Sequence, residues 1–283
     1  MEKLQAFGEI NGNRISLLRL DLPDPLSGGN KSFKLKYNLE ALRQSGKEQL
    51  LTFGGAFSNH IAAAAAAGKA NRIKTVGIIR GEELSAGANA VLRFASSCGM
   101  ELHFVSRETY RRRHDADFLD ALQQEFPAAY LLPEGGSNAH AVNGCMEILP
   151  GNEADVIFCP VGSGATLAGI IASAKANQKV IGIAVLEGKK YLAAEVKRLL
   201  VDRPVNCEWE INGDFTFGGY AKTDSRLQEF ISRMKEQHAL PLDHVYSGKT
   251  FYALHEMAKG DAFRGKHLLF VHTGGYAFEN AAR

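Results

Sequence analysis

Apolar positions along the chain fall in short, β-branched runs separated by longer stretches of helical spacing. The runs lie at 15–20, 50–53, 73–79, 102–105, 130–132, 156–159, 180–185 and 268–271. The stretches with helical periodicity lie at 33–44, 58–70, 86–98, 108–125, 138–148, 165–175, 224–238 and 249–259. Nearly continuous apolar strands alternating with helices predict an α/β protein with mostly parallel sheets, because a strand covered on both faces has no polar side to show. In such sheets, binding groups collect beyond the carboxyl ends of the strands. The segments that follow the strands are therefore where chemistry is sought.

Composition narrows the partners. The 283 residues carry 33 Lys+Arg against 31 Asp+Glu, a formal charge of +2, which offers no cationic surface for tracking phosphates and excludes a nucleic-acid partner. The longest unbroken apolar stretch, 61–67, is far short of the roughly 20 residues that span a bilayer, so no membrane partner is expected. With no leader-type start in the first twenty residues, the expectation is a cytoplasmic protein. Cys98, Cys145, Cys159 and Cys207 are widely separated and form no C-x-x-C pair, which reads as buried, reduced thiols. The nine histidines show no metal-ligand spacing.

After 50–53 comes Gly54-Gly55-Ala56-Phe57-Ser58-Asn59-His60 and an alanine-rich helix. Ser58 or Asn59 can cap that helix, whose free N–H groups suit a carboxylate; alone, the motif is an ordinary cap. After 156–159 comes Pro160-Val161-Gly162-Ser163-Gly164-Ala165-Thr166-Leu167-Ala168-Gly169. Its glycines let backbone amides close on a phosphate, Ser163 and Thr166 add hydroxyls, and the next helix adds its positive end. As a dinucleotide fingerprint it fails, since Leu167 stands where a glycine is needed, although Gly169 and Glu187 keep a weakened version open. Ser247-Gly248-Lys249-Thr250 imitates the end of a P-loop, but the first glycine would have to be at Asp243. Near the start, Gly28-Gly29-Asn30-Lys31 opens a helix. A lysine there opposes the helix dipole, and the dipole with burial would lower its pKa, which suits a Schiff-base amine.

Taken in order, Gly-Gly-Asn-Lys31, Ser58-Asn59-His60, the Gly162 to Thr166 loop, Val-Tyr246-Ser-Gly-Lys and His-Thr273-Gly-Gly resemble one family over about 26–275. It is the pyridoxal-phosphate enzymes of the tryptophan-synthase-β-like fold, fold type II, in the branch of 1-aminocyclopropane-1-carboxylate deaminase and D-cysteine desulfhydrase. The resemblance implies two three-layer α/β/α domains with pyridoxal 5'-phosphate in the cleft: a larger one from 1–34 and 146–283, and a smaller inserted one from 35–145. It implies that Lys31 carries the cofactor and moves the Cα proton, that Lys34 helps hold the phosphate, and that Asn59 meets the phenolic oxygen. Ser58 and the helix end at His60 would receive the substrate carboxylate, and Gly162, Ser163, Gly164, Ala165 and Thr166 would cradle the phosphate. Tyr220 and Tyr246 would stand on the substrate side. A homodimer is the expected assembly.

Two positions separate the branch's activities. The deaminases carry glutamate after the tyrosine of Val-Tyr-x-Gly-Lys and leucine in His-x-Gly-Gly; the desulfhydrases carry hydroxyls, as here with Ser247 and Thr273. A glutamate keeps the pyridine nitrogen protonated and makes a stronger electron sink than hydroxyls do. The expected substrate is thus a small D-amino acid with a good leaving group, such as D-cysteine, giving pyruvate, ammonia and hydrogen sulfide. The cyclopropane acid is the alternative. So are a phosphoryl-ligand protein using only the glycine loop and Glu187, and a pyridoxal-phosphate carrier without turnover. Phe33 and Lys36 depart from the arginine and glutamate usual in the family, which bears on the substrate.

Overall fold

A computed structural model describes residues 4–22, 28–149, 151 and 153–275. The outer ends of the expected larger domain, 1–3 and 276–283, lie outside the described residues. In chain order the elements are β1 (Leu4–Ile10), β2 (Asn13–Arg19), α1 (Asn30–Gln44), β3 (Gln49–Gly55), α2 (Asn59–Asn71), β4 (Lys74–Arg80), α3 (Ala90–Ser97), β5 (Met100–Val105), α4 (Arg107–Arg111), α5 (Ala116–Glu125), β6 (Ala129–Leu132), α6 (Ala139–Cys145), β7 (Val156–Val161), α7 (Ala165–Ser173), β8 (Lys179–Ala184), α8 (Lys189–Leu199), β9 (Glu208–Asn212), α9 (Ser225–His238), α10 (Ser247–Ala258) and β10 (His267–His272).

The strands build two sheets. One has the order β1-β2-β10-β7-β8-β9, and the other, from the middle of the chain, β5-β4-β3-β6. All neighbours are parallel except the β1–β2 hairpin. Every residue of β7 is buried, as is all of β10 after His267, which is why their sequences read as apolar runs without alternation. Helices cover both faces of each sheet. α6, α7 and α8 pack one face of the larger sheet, and α9 with α10 the other. α1, α2 and α3 cover one face of the smaller sheet, and residues of α4 and α5 the other. This is the expected pair of three-layer α/β/α arrangements. The expected 34/35 boundary falls inside α1, which runs on from the larger sheet toward the smaller one.

Three elements go beyond the sequence reading. β1 is an exposed edge strand whose register shifts between Ala6 and Gly8, so its apolar residues do not alternate cleanly. Its hairpin turn, Asn11-Gly12, has both residues at positive φ, the chemistry of a two-residue hairpin. β9 is a half-exposed edge strand, and α8 is an amphipathic helix burying Leu192, Val196 and Leu199. The single helix expected over 108–125 is two helices, α4 and α5, parted by a turn at 112–115.

Within the larger sheet, β2, β10 and β7 are adjacent and parallel, so the segments leading to Lys31, Thr273 and Gly162 leave side by side. In the smaller sheet β3 and β6 are adjacent, and the segments after them carry Ser58 and Gly135. Five post-strand segments thus meet between the two sheets, joined by bonds of Asn30 to Thr166 and Thr273, of Lys34 to Gly135 and Ser163, and of Asn59 to Gly275.

Candidate active site

The segment after β2 returns to the larger sheet before α1 begins: Gly29 N–H bonds Leu20 O, and Asn30 N–H bonds Thr273 O at 3.2 Å. Gly29 has φ of +65°, and a β-carbon there would collide with the Thr273 carbonyl. Only glycine brings the start of α1 this close to the end of β10. α1 therefore opens at Asn30, three residues before the expected start, and Lys31 sits in its first turn.

Lys31 Nζ donates to Asn30 Oδ1 at 2.9 Å, and Asn30 Nδ2 donates to Thr166 Oγ1 at 2.8 Å. Burial, and then the charge of Lys34, pull the Lys31 amine down to about 7. Lys34, one turn further on, is only 3 % exposed. Its Nζ donates to Gly135 O at 3.0 Å and to Ser163 Oγ at 3.1 Å. Burial lowers its proton affinity as well. A buried ammonium whose partners are one carbonyl and one hydroxyl is short of negative charge.

That shortage falls at the glycine loop. Ser163 stands between β7 and α7, with Gly164 at φ of +87° capping α7. The loop is braced by Ser137, whose hydroxyl donates to Ser163 O at 2.7 Å and accepts from Ala165 N–H at 3.3 Å. A cation, a hydroxyl and a helix N-terminus around one space form a donor set for a phosphate. The amide of Ala165 already bonds Ser137 Oγ and Thr166 Oγ1 accepts from Asn30, which leaves Lys34, Ser163, the Gly162–Gly164 backbone and the amide and hydroxyl proton of Thr166 as donors for a phosphate.

Across the cleft, Ser58 caps α2, its Oγ accepting from Ile61 N–H at 3.4 Å. Asn59 Nδ2 donates to Gly275 O at 3.2 Å, tying α2 to the segment after β10. His60 is held by its ring. Thr52 gives its hydroxyl proton to Leu132 O at 2.9 Å, so it accepts from His60 Nε2 at 2.8 Å. This fixes the tautomer and leaves Nδ1 as a buried acceptor without a partner among the described residues. Burial holds His60 well below its ordinary pKa, so it is neutral. Its side chain cannot receive a carboxylate, whereas its backbone N–H at the start of α2 can.

On the third side, the Tyr246 ring lies 6.0 Å from Lys31 Nζ and against Gly162. Its hydroxyl is 3.2 Å from that of Tyr220, with the two rings edge to face. Burial pushes the Tyr246 phenol up. Ser247, beside it, is fully buried. Its hydroxyl donates to Asp243, whose carboxylate also accepts from the N–H groups of Val245, Tyr246 and Ser247. Thr273 is the other expected hydroxyl, and its Oγ has no partner among the described residues. Glu187 accepts from Thr216 Oγ1 at 2.6 Å.

The residues that sequence reasoning passed over are Asn30, Gly135, Gly136, Ser137 and Asp243. A signal existed for three of them, since Gly135-Gly136-Ser137 is one more glycine pair after a parallel strand. A β-carbon at Gly135 would press Ser163 Oγ at 2.9 Å, and one at Gly136 the His60 ring at 2.9 Å.

The arrangement defines a class: a half-buried lysine whose amine is lowered to about 7, beside an anion cradle at the meeting of two α/β sheets. The family described as pyridoxal-phosphate dependent enzyme matches residues 1–274, and the chain belongs to it. Pyridoxal phosphate is its cofactor. The chain is 30% identical over 291 residues to a putative 1-aminocyclopropane-1-carboxylate deaminase of Thermotoga maritima, covering 96% of this chain and 92% of that one. It is 29% identical over 294 residues to the mitochondrial bifunctional D-cysteine desulfhydrase/1-aminocyclopropane-1-carboxylate deaminase of Arabidopsis thaliana, with 94% and 73% covered. A crystal structure of an ACC deaminase homologue superposes with a TM-score of 0.82 at 25% identity, over 97% of this chain and 89% of that one. Among the described residues, no helix is long and apolar enough to cross a membrane.

Proposed function

We propose that the protein carries out elimination on a small D-amino acid, D-cysteine foremost, which with one water gives pyruvate, ammonia and hydrogen sulfide. The observation that supports it is the Lys31 amine, near 7 and 6.0 Å from the Tyr246 ring, with a buried cation and a glycine loop beside it for the cofactor's phosphate. When bound, the cofactor supplies an electron sink at the substrate Cα.

In this reading Lys31 Nζ holds the cofactor and moves the Cα proton. Lys34, Ser163 and the amides of Gly162 and Gly164 anchor the phosphate, with Ala165 and Thr166 completing the loop. Ser58 and the N–H groups of Asn59 and His60 receive the substrate carboxylate at the positive end of α2. Asn59 would also meet the ring's phenolic oxygen. Tyr246 and Tyr220 share a proton network on the substrate side. Thr273 would offer a hydroxyl to the pyridine nitrogen, while Ser247 holds the Asp243 carboxylate through its hydroxyl and N–H. A ring without a carboxylate partner is a weaker electron sink, enough for expelling thiolate. We place the domain boundaries at 34/35 and 145/146, with the site between.

Ring opening of 1-aminocyclopropane-1-carboxylate is the second reading, favoured by the name of the Thermotoga relative, while the Arabidopsis relative is named for both activities. One assay separates them. Purified protein loaded with pyridoxal phosphate should release sulfide and pyruvate from D-cysteine; release of 2-oxobutyrate from the cyclopropane acid without sulfide from D-cysteine reverses the order.

A further inference from the structure

Lys249 lies in the first turn of α10, fully buried. Its Nζ donates to three carbonyls: Thr216 O at 2.7 Å, Gly219 O at 2.7 Å and Val185 O at 3.2 Å. Two of these already close turns, since Thr216 O accepts from Gly219 N–H and Gly219 O from Lys222 N–H, each at 3.1 Å. The ammonium therefore sits on both turns of one loop and joins them to the end of β8.

The loop needs such a clamp. Phe217, Gly218, Gly219 and Ala221 have φ of +52°, +86°, +114° and +57°. Two of the four carry side chains in the left-handed region, a conformation that persists only where surrounding contacts over-determine it. Tyr220 rides on this strained segment. Its side chain is 48 % exposed, so packing alone does not fix it, yet its hydroxyl meets that of Tyr246. Tyr246 stands three residues before Lys249 at the start of the same helix.

We propose that Lys249 is a positioning residue whose ammonium clamps the 216–222 double turn to α10, so that Tyr220 is held against Tyr246 opposite Lys31. A charged donor is needed because three carbonyls converge on one point, which a neutral side chain of that length cannot serve. The inference rests on the reading above only in taking the two tyrosines as part of the reaction.

The test uses the cofactor-loaded protein and the variants Lys249→Met and Lys249→Gln. Hydrogen exchange should show the Gly219 and Lys222 amides opening roughly tenfold faster or more, with β8 and the rest of α10 unchanged. For whichever of the two substrates the wild type turns over, Lys249→Met should lower kcat/KM roughly tenfold. In a Tyr220→Phe background the same change should cost less than about twofold, because the group it positions is gone. Unchanged exchange, or an equal loss in both backgrounds, overturns the proposal. Failure of both variants to fold also overturns it, by assigning Lys249 to stability alone. If the wild type turns over neither substrate, the functional reading fails and the exchange measurement still decides the clamp.

Discussion

Lys34 stands one helical turn after Lys31 on α1, and its charge, added to the larger effect of burial, brings the Lys31 amine down to about 7. The consequence is measurable before any turnover. Cofactor-free protein mixed briefly with pyridoxal phosphate and quenched with borohydride should show trapping that rises through a midpoint near 7, against 10.5 for an ordinary lysine. Lys34→Met removes the second cause and leaves the first, so the midpoint should move up yet stay below the ordinary value. A midpoint unmoved by Lys34→Met would contradict the coupling. The linked stability effect has a definite sign. Between about 7 and 10.5 the unfolded chain holds a proton that folded Lys31 lacks, so this residue makes the cofactor-free protein more stable as pH rises across that window.

Lys34 also bears on cofactor affinity. It is a buried cation with no carboxylate in hydrogen-bond reach among the described residues, and a phosphate would complete its surroundings. A hydrogen bond to a charged group contributes about 1.5 to 3 kcal/mol, so Lys34→Met should weaken pyridoxal phosphate binding roughly tenfold to a hundredfold. The check is a titration followed by absorbance. Because Met leaves no buried charge behind, the folded protein should be at least as heat-stable as the wild type without cofactor; a large loss of stability would mean Lys34 serves the fold.

Much of the fold was legible because parallel strands covered on both faces must be apolar throughout, as in β7 and β10, and because glycine pairs follow them. What could not be read was edge structure: β1 and β9 are half-exposed, and β1 carries a register shift, so neither repeats cleanly. Lys31 and Ser163 stand in motifs that point to chemistry by themselves and Lys34 and Tyr246 enter through the family resemblance, whereas Asn30 and Ser137 matter through bonds to residues 136 and 26 or 28 positions away. Sequence spacing carries no trace of such pairs. Lys249 illustrates the opposite failure, a residue noticed as part of a false phosphate motif whose actual partners are three carbonyls.

In the proposed reading Thr273 offers its hydroxyl to the cofactor ring. Its backbone carbonyl is tied to Asn30 N–H, while its side chain has no partner among the described residues. Thr273→Val keeps the shape and removes a buried hydroxyl that bonds no described residue, so the cofactor-free protein should be at least as heat-stable as the wild type. If the hydroxyl meets the pyridine nitrogen, about 1 kcal/mol is lost, and sulfide release from D-cysteine should fall about fivefold with cofactor still bound. Unaltered release would take Thr273 out of the site.

Exchanging Ser247 for the glutamate of the deaminases looks like a substrate switch, but Asp243 makes it first a test of folding. Ser247 is fully buried, and its hydroxyl and N–H both go to the Asp243 carboxylate. Ser247→Glu replaces a donor with a second carboxylate facing the first. The start of α10 favours negative charge by at most about 2 kcal/mol, and Asp243 already occupies that position. An uncompensated buried charge costs about 3 to 5 kcal/mol, so repulsion and burial win and the variant should melt at a lower temperature than the wild type. The sign with pH follows. Burial and like charge raise the folded pKa of the introduced carboxylate above its unfolded value, so the penalty shrinks as pH falls from 7.5 toward 5. Melting curves of wild type, Ser247→Ala and Ser247→Glu at those two pH values decide it. A Ser247→Glu protein as stable as Ser247→Ala at pH 7.5 would mean that Asp243 moves aside, and the switch could then be read as chemistry.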